Sequence, residues 1–428
     1  MDTGARTEVR ASNVIALSTT LTEKSRLIFA DEEGVIENIS VGNIRSVPVS
    51  GLPHEFANAF RPRSLVHNKD DQANTIHVVI SIASGTRQAQ AFYETRLLPV
   101  LEALDIRKDR DYTLHSTTSH KSVTDLSTSV FIPAALQGIK QTIILLSGDG
   151  GIVDVLNATM STLYTTSSTF TNPAIALLPL GTGNALAHSS RITADNTMGL
   201  ATLLRGVPSP LSSFRATFSP GSYLLAHETN EPLPLYDGNR LWGCVVLSWG
   251  LHAALVADSD TPEYRKHGVE RFRMAAKENL HPEDGGPPHS YLGRVSVLTE
   301  SGEWTELERK SHAYVLATFV SNLEKTFCIS PKSKPLDGQM RLIHFGPLGG
   351  EDAMNIMGKA FAGGKHVEDE RVGYEEIRGL RVHFDEEEDR WRRVCIDGKI
   401  VIVSRGGWVE AVKEEGSNGL DVLCLESA

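Results

Sequence analysis

The chain has 428 residues, 40% of them hydrophobic and 22% charged, with a formal net charge of −11. That length accommodates two or three domains with full cores, and the composition is that of a globular protein. The negative balance argues against non-specific nucleic-acid binding, which rewards clustered Lys and Arg along a phosphate backbone. The four cysteines, Cys244, Cys328, Cys395 and Cys424, are scattered without a CxxC pair. That usage fits a reducing, cytoplasmic compartment. The opening MDTGARTEVR lacks the apolar centre of a secretory signal, so none is expected.

In chain order, residues 1–70 carry short strand-like runs (RLIFA, GVIENISV, SVPV) between turn residues, predicting a small β-rich extension. From Thr75 the pattern changes. TIHVVIS reads as a strand, residues 86–104 as an amphipathic helix, YTLHS as a second strand and residues 122–137 as a second helix. QTIILLS, the helical IVDVLNATMSTLY and the strand AIALLPL follow. This alternation over residues 71–206 predicts an α/β domain with a parallel sheet, whose ligands sit beyond the carboxyl ends of the strands.

After residue 207 turn-rich segments separate short strands, the clearest at 315–319, 340–344, 380–384 and 400–403. Residues 207–428 are therefore expected to form a mostly β, sandwich-like domain with one or two helices, its last segment returning to the first domain. Residues 241–257 contain no Asp, Glu, Lys or Arg. They are short for a membrane span of about 20 residues and read as a core strand running into a loop. The acidic run 385–389 reads as a solvated hairpin tip.

Three turns in the first half place glycine where a strand meets a helix. They contain Ser84 and Gly85; Ser147, Gly148, Asp149, Gly150 and Gly151; and Gly181, Thr182, Gly183 and Asn184. Helix N-termini present unpaired N–H groups, and missing Cβ atoms let phosphate oxygens approach. Neither GxxxxGK[ST] nor GxGxxG occurs in these turns. Asp149 is the residue that phosphate binding leaves unexplained. A carboxylate there makes sense if it takes a proton from an attacking hydroxyl or helps hold Mg²⁺; the plainer alternative is an Asx-type turn stabiliser.

LLSGDGGIVDVLNA followed by LLPLGTGNALAHS resembles the signature of the diacylglycerol kinase catalytic-domain family, and within it most resembles the sphingosine (long-chain base) kinases. The similarity runs from about Thr75 onward through SWG (248–250), EYRKHGVERF (263–272), PLDGQMRL (335–342), GGKH (363–366) and IDGK (396–399). The resemblance implies an α/β nucleotide-binding domain, a β-sandwich, and ATP with Mg²⁺ in the cleft between them. The implied reaction is transfer of the γ-phosphate of ATP to the primary hydroxyl of a sphingoid base. Diacylglycerol or ceramide is the alternative acceptor, and a catalytically impaired, ligand-binding pseudokinase the non-enzymatic alternative. NAD kinases share a Gly-Asp-Gly loop and a two-domain plan, but not the later motifs.

By the same resemblance, Asp149 is the general base. The nucleotide is expected against Ser81, Ile82, Ala83, Ser84, Gly85, Thr117, Thr118, Ser147, Gly148, Gly150, Gly181, Thr182, Gly183 and Asn184. Arg265 and Arg271 would clamp its phosphates, with Asp397, Gly398 and Lys399 completing the site. Asp258, with Asp260 as the fallback, would pair with an ammonium on the lipid head, and Ser147 and Gly150 would also face the lipid. No metal ligand is assigned. A lipid acceptor implies transient, peripheral membrane contact. Three departures stand out: Ser81, Ile82 and Ala83 replace an Asn-Pro-x lead-in, Lys399 replaces a glutamate, and Gly151 replaces a threonine. The six-residue spacing of Arg265 and Arg271 lets both reach one ligand only if that segment is not a regular helix throughout.

Overall fold

The computed structural model describes residues 8–19, 25–31, 41–65, 74–163, 170–226, 231–236, 238–416 and 419–426. A six-stranded sheet organises the first half. Its order is Tyr112–Ser116, Thr75–Ile80, Gln141–Ser147, Ala174–Pro179, Asp421–Cys424 and Val207–Pro210. The first five strands run parallel and the last antiparallel.

Gln141–Ser147 and Ala174–Pro179 are buried at every position. Such continuous burial belongs to a parallel sheet covered on both faces. Alternate side chains leave on opposite sides. Ile143 and Leu145 pack with the helix Asp149–Leu163, while Ile144 and Leu146 pack towards Phe92, Leu101 and Leu204. The second face also receives Ile15, Ile28 and Ala30 of an antiparallel sheet formed by Val14–Thr19, Ser25–Ala30 and Ile44–Val49. RLIFA and SVPV fall in that sheet, whereas most of GVIENISV lies outside the described residues.

The second half is a sandwich of an eight-stranded and a seven-stranded sheet. Phe214, Trp249, Val295, Leu342, Phe384 and Val401 fill the space between them. Trp249 is fully buried, meets Phe384 and Tyr291 edge-on, and donates its indole N–H to Trp391 O at 2.9 Å. That partner removes the cost of burying the indole N–H.

Two local expectations are corrected. Residues 241–257 form strands Arg240–Gly243 and Val246–Gly250 followed by the helix Leu251–Asp258, where a loop was expected. Among the described residues no helix is long and apolar enough to cross a membrane. The acidic run is exposed except at Glu386, but it is not a hairpin tip, because the strands flanking it, Gly379–Phe384 and Arg393–Ile396, belong to different sheets. The run crosses between the two layers, and Glu386 turns inward to accept from Leu292 N at 2.7 Å and to meet His289.

One apolar cluster spans both halves: Ile152 and Leu156 of the Asp149–Leu163 helix share it with Trp242, Tyr314, Leu316 and Phe345. Inside this seam lies fully buried Asn157, whose amide donates to Trp242 O and accepts from Trp242 N, both at 2.9 Å. Asn157→Leu leaves both main-chain groups of Trp242 without that partner. The expected loss is about 2–6 kcal/mol, from roughly 1–3 kcal/mol for each buried group that loses its partner, and it is read as a lower urea midpoint at unchanged m.

Candidate active site

The parallel strands bring their carboxyl-end loops together so closely that glycine is required. A Cβ on Gly148 would lie 2.7 Å from Gly181 Cα, and one on Gly85, at φ +51°, would collide with Leu180 O. These glycines therefore serve contacts between loops, besides any role towards a ligand. Gly150 differs. It is exposed, with nothing within 4 Å of where its Cβ would stand, so it opens on free space at the start of a helix.

Side chains stitch the loops. Gly148 N donates to Ser84 Oγ (3.1 Å), and Asn184, in the left-handed region at φ +53°, bonds Gly181 through both its amide oxygen and its amide nitrogen (2.9 Å each). Ile82 N donates to Thr117 Oγ1 at 3.1 Å, holding the Ser81, Ile82 and Ala83 segment where the Asn-Pro lead-in is missing. Thr118 N donates to Ser122 Oγ.

Asp149 is the first residue of its helix and half-buried. Its Oδ2 accepts from Ala185 N at 2.7 Å and its Oδ1 from Leu186 N at 3.2 Å, so it also caps the helix Ala185–Ser189. Burial raises its pKa to about 6 against the pull of those two N–H groups.

Across the seam, Asp397 and Gly398, at φ +48° and +87°, turn the hairpin between Arg393–Ile396 and Lys399–Ile402. The Asp397 carboxylate, only 9% exposed, accepts from the N–H groups of Cys244 (2.6 Å), Val245 (3.0 Å) and Val246 (2.6 Å). Burial pushes it up to about 6; the three N–H groups oppose that shift, and the charge on Asp149 adds to it. Lys399 Nζ sits 2.7 Å from Asp154 Oδ1, five residues beyond Asp149 on the same helix. Burial works against its charge, yet Asp154, Tyr236 and Asp397 together hold its pKa above the ordinary value.

The remaining expected residues form ion pairs of their own. The helix Pro262–Arg265 ends, the chain turns, and Glu270–Leu280 begins a new helix. This break lets Arg265 and Arg271 converge, at 2.6 and 3.6 Å from Asp260 Oδ1. Asp258 is held by Arg393 (2.6 Å), Arg390 (3.1 Å) and the Asn279 amide (3.1 Å). The carboxylate expected to meet an ammonium is thus already engaged by two guanidinium groups.

Sequence reasoning passed over Asp154 and Asn157, although both stand in the quoted GDGGIVDVLNA motif. A polar residue inside an otherwise apolar helix was the available signal. For Mg²⁺ the donor set is a poor fit. No three His, Cys, Asp or Glu side chains converge among the described residues. Asp154 is paired with Lys399, and both Asp397 oxygens accept main-chain N–H groups.

The raised Asp149 pKa predicts a stability signature. The unfolded carboxyl titrates near 3.8 and the folded one near 6, so between those values the native state binds more protons and loses stability as pH rises. Asp149→Asn removes this loss. Its melting temperature relative to wild type should climb from pH 4 to pH 7 in thermal unfolding; a constant difference would contradict the assignment.

Residues 75–216 match the family model of the diacylglycerol kinase catalytic domain. No curated protein matches the chain in sequence. Among solved structures, a candidate diacylglycerol kinase from Bacillus anthracis str. Sterne aligns at TM-score 0.53 and 12% identity, over 82% of this chain and 97% of that one. A second structure from the same organism aligns at TM-score 0.52 and 10% identity over the same shares. At these identities the likeness speaks for the two-domain fold alone. The match and the fold agree: residues 75–216, which hold the three glycine turns and Asp149, are similar to the diacylglycerol kinase catalytic domain.

Proposed function

We propose that the protein is an ATP-dependent lipid kinase that transfers the γ-phosphoryl group of ATP to a hydroxyl of a membrane-borne lipid, reached by transient peripheral contact. The observation that carries this reading is Asp149. It stands at the N-terminus of a 15-residue helix beside the open space at Gly150, with its pKa raised towards neutrality. A general base works best with a pKa near the working pH. Each Asp149 oxygen accepts one main-chain N–H, which fixes the carboxylate plane and leaves a lone pair on each for the acceptor's proton.

Phosphate groups would lie at the start of the same helix, where the backbone dipole favours negative charge. Phosphoryl transfer depends mainly on positioning and charge stabilisation. Arg265 and Arg271 supply two guanidinium groups already gathered on one carboxylate, Asp260. In this reading the nucleotide's phosphates compete with Asp260 for them. No step is assigned to Mg²⁺.

The ion pairs of Asp258 bear on the acceptor. An ammonium head would have to displace Arg393 or Arg390 from it. This favours a lipid alcohol with an uncharged head, such as diacylglycerol or ceramide, over the sphingoid base that the resemblance put first. A second reading, nucleotide binding without turnover, draws support from Lys399 standing where the resembled kinases carry glutamate.

Labelled ATP offered with Mg²⁺ and diacylglycerol, ceramide or sphingosine tests these readings. We expect label on an uncharged-head lipid and a loss of about 10²–10⁴-fold in Asp149→Asn, the usual worth of a general base. Arg393→Met should raise the rate on sphingosine relative to diacylglycerol. No label on any lipid, with ATP binding intact by calorimetry, would favour the second reading.

A further inference from the structure

A carboxylate and an ammonium meet where the helix beginning at Asp149 packs against the sandwich. Lys399 Nζ is 2.7 Å from Asp154 Oδ1, the two side chains being 13% and 16% exposed. The charge of Asp397, two residues before Lys399 in the hairpin, adds to that of Asp154 in raising the Lys399 pKa, and the charge of Asp149 adds to the rise at Asp397. A carboxylate buried at this depth keeps its charge only with hydrogen-bond donors or a cation beside it. Phosphoryl-transfer sites commonly use a divalent ion for this.

We propose that Lys399 is the built-in cation of this seam: its ammonium, in place of a resident divalent metal, neutralises Asp154 and Asp397 and fastens the helix that carries Asp149 to the sandwich. An ammonium is a compact point charge that needs no octahedral cage, unlike Mg²⁺. It fits a place where Asp397 has both oxygens on main-chain N–H groups and Asp154 turns its carboxylate to the ammonium. The only divalent ion the protein then meets is the one that travels with the nucleotide. Lys399 acts through Asp154 and the helix, as a positioning residue.

The test is a Mn²⁺ titration of the full chain without nucleotide, followed by electron paramagnetic resonance. Wild type should hold no Mn²⁺ at this seam. Lys399→Glu, which turns the cation's place into a further carboxylate, should gain one bound Mn²⁺ per chain, and adding Asp154→Asn should abolish the gain. Two results overturn the proposal: Mn²⁺ bound by wild type and lost in Asp154→Asn, or a folded Lys399→Glu that gains none. Circular dichroism establishes folding. Should Lys399→Glu not fold, the comparison of wild type with Asp154→Asn decides by itself. Because the readout is metal binding without turnover, its failure is distinguishable from failure of the lipid-kinase reading.

Discussion

The helix Asp149–Leu163 is buried from Gly151 to Met160 except at Asp154, because the parallel sheet covers one side and the sandwich the other. A helix apolar all round must be enclosed, and enclosing this one joins the two halves through a continuous core. The position of Asp149 follows from that burial. The strand Gln141–Ser147 delivers the chain to the seam, and the packed helix then allows its first residue little freedom.

Within the seam, Asn157 and Asp397 each have specific main-chain partners. Asn157 bonds both main-chain groups of Trp242, and Asp397 gathers three successive N–H groups where the chain passes from one strand to the next. A buried polar group without a partner would cost more than these bonds contribute. The same dryness raises Asp149 and Asp397 towards neutrality. The site thus holds carboxylates in a state that costs stability at neutral pH, the usual tension between a reactive group and a stable fold.

The glycines of the three loops have two kinds of work. Those at 85, 148 and 181 allow the loops to touch, and Gly150 alone among the six faces open space. A loop sequence rich in glycine therefore signals close approach without saying whether the approaching group is a ligand or another part of the chain. Only the folded arrangement separates the two.

The sequence by itself determined the features that depend on near neighbours. Alternating apolar runs and helical spacing specify the parallel sheet, and the Gly-Asp-Gly turn marks the helix start with its carboxylate, since strand pattern, helix period and turn chemistry act over a few residues. The tertiary structure decided which charges meet. Lys399 pairs with Asp154 across 245 positions, Asp397 serves Cys244, and Arg393 closes on Asp258. The acidic run 385–389 shows the same boundary: its composition signals solvent, but its place between two sheets turns Glu386 inward. Coulomb and hydrogen-bond partners are set by the stacking order of layers, which no local window of sequence contains, and those pairings decide which carboxylate is free to act.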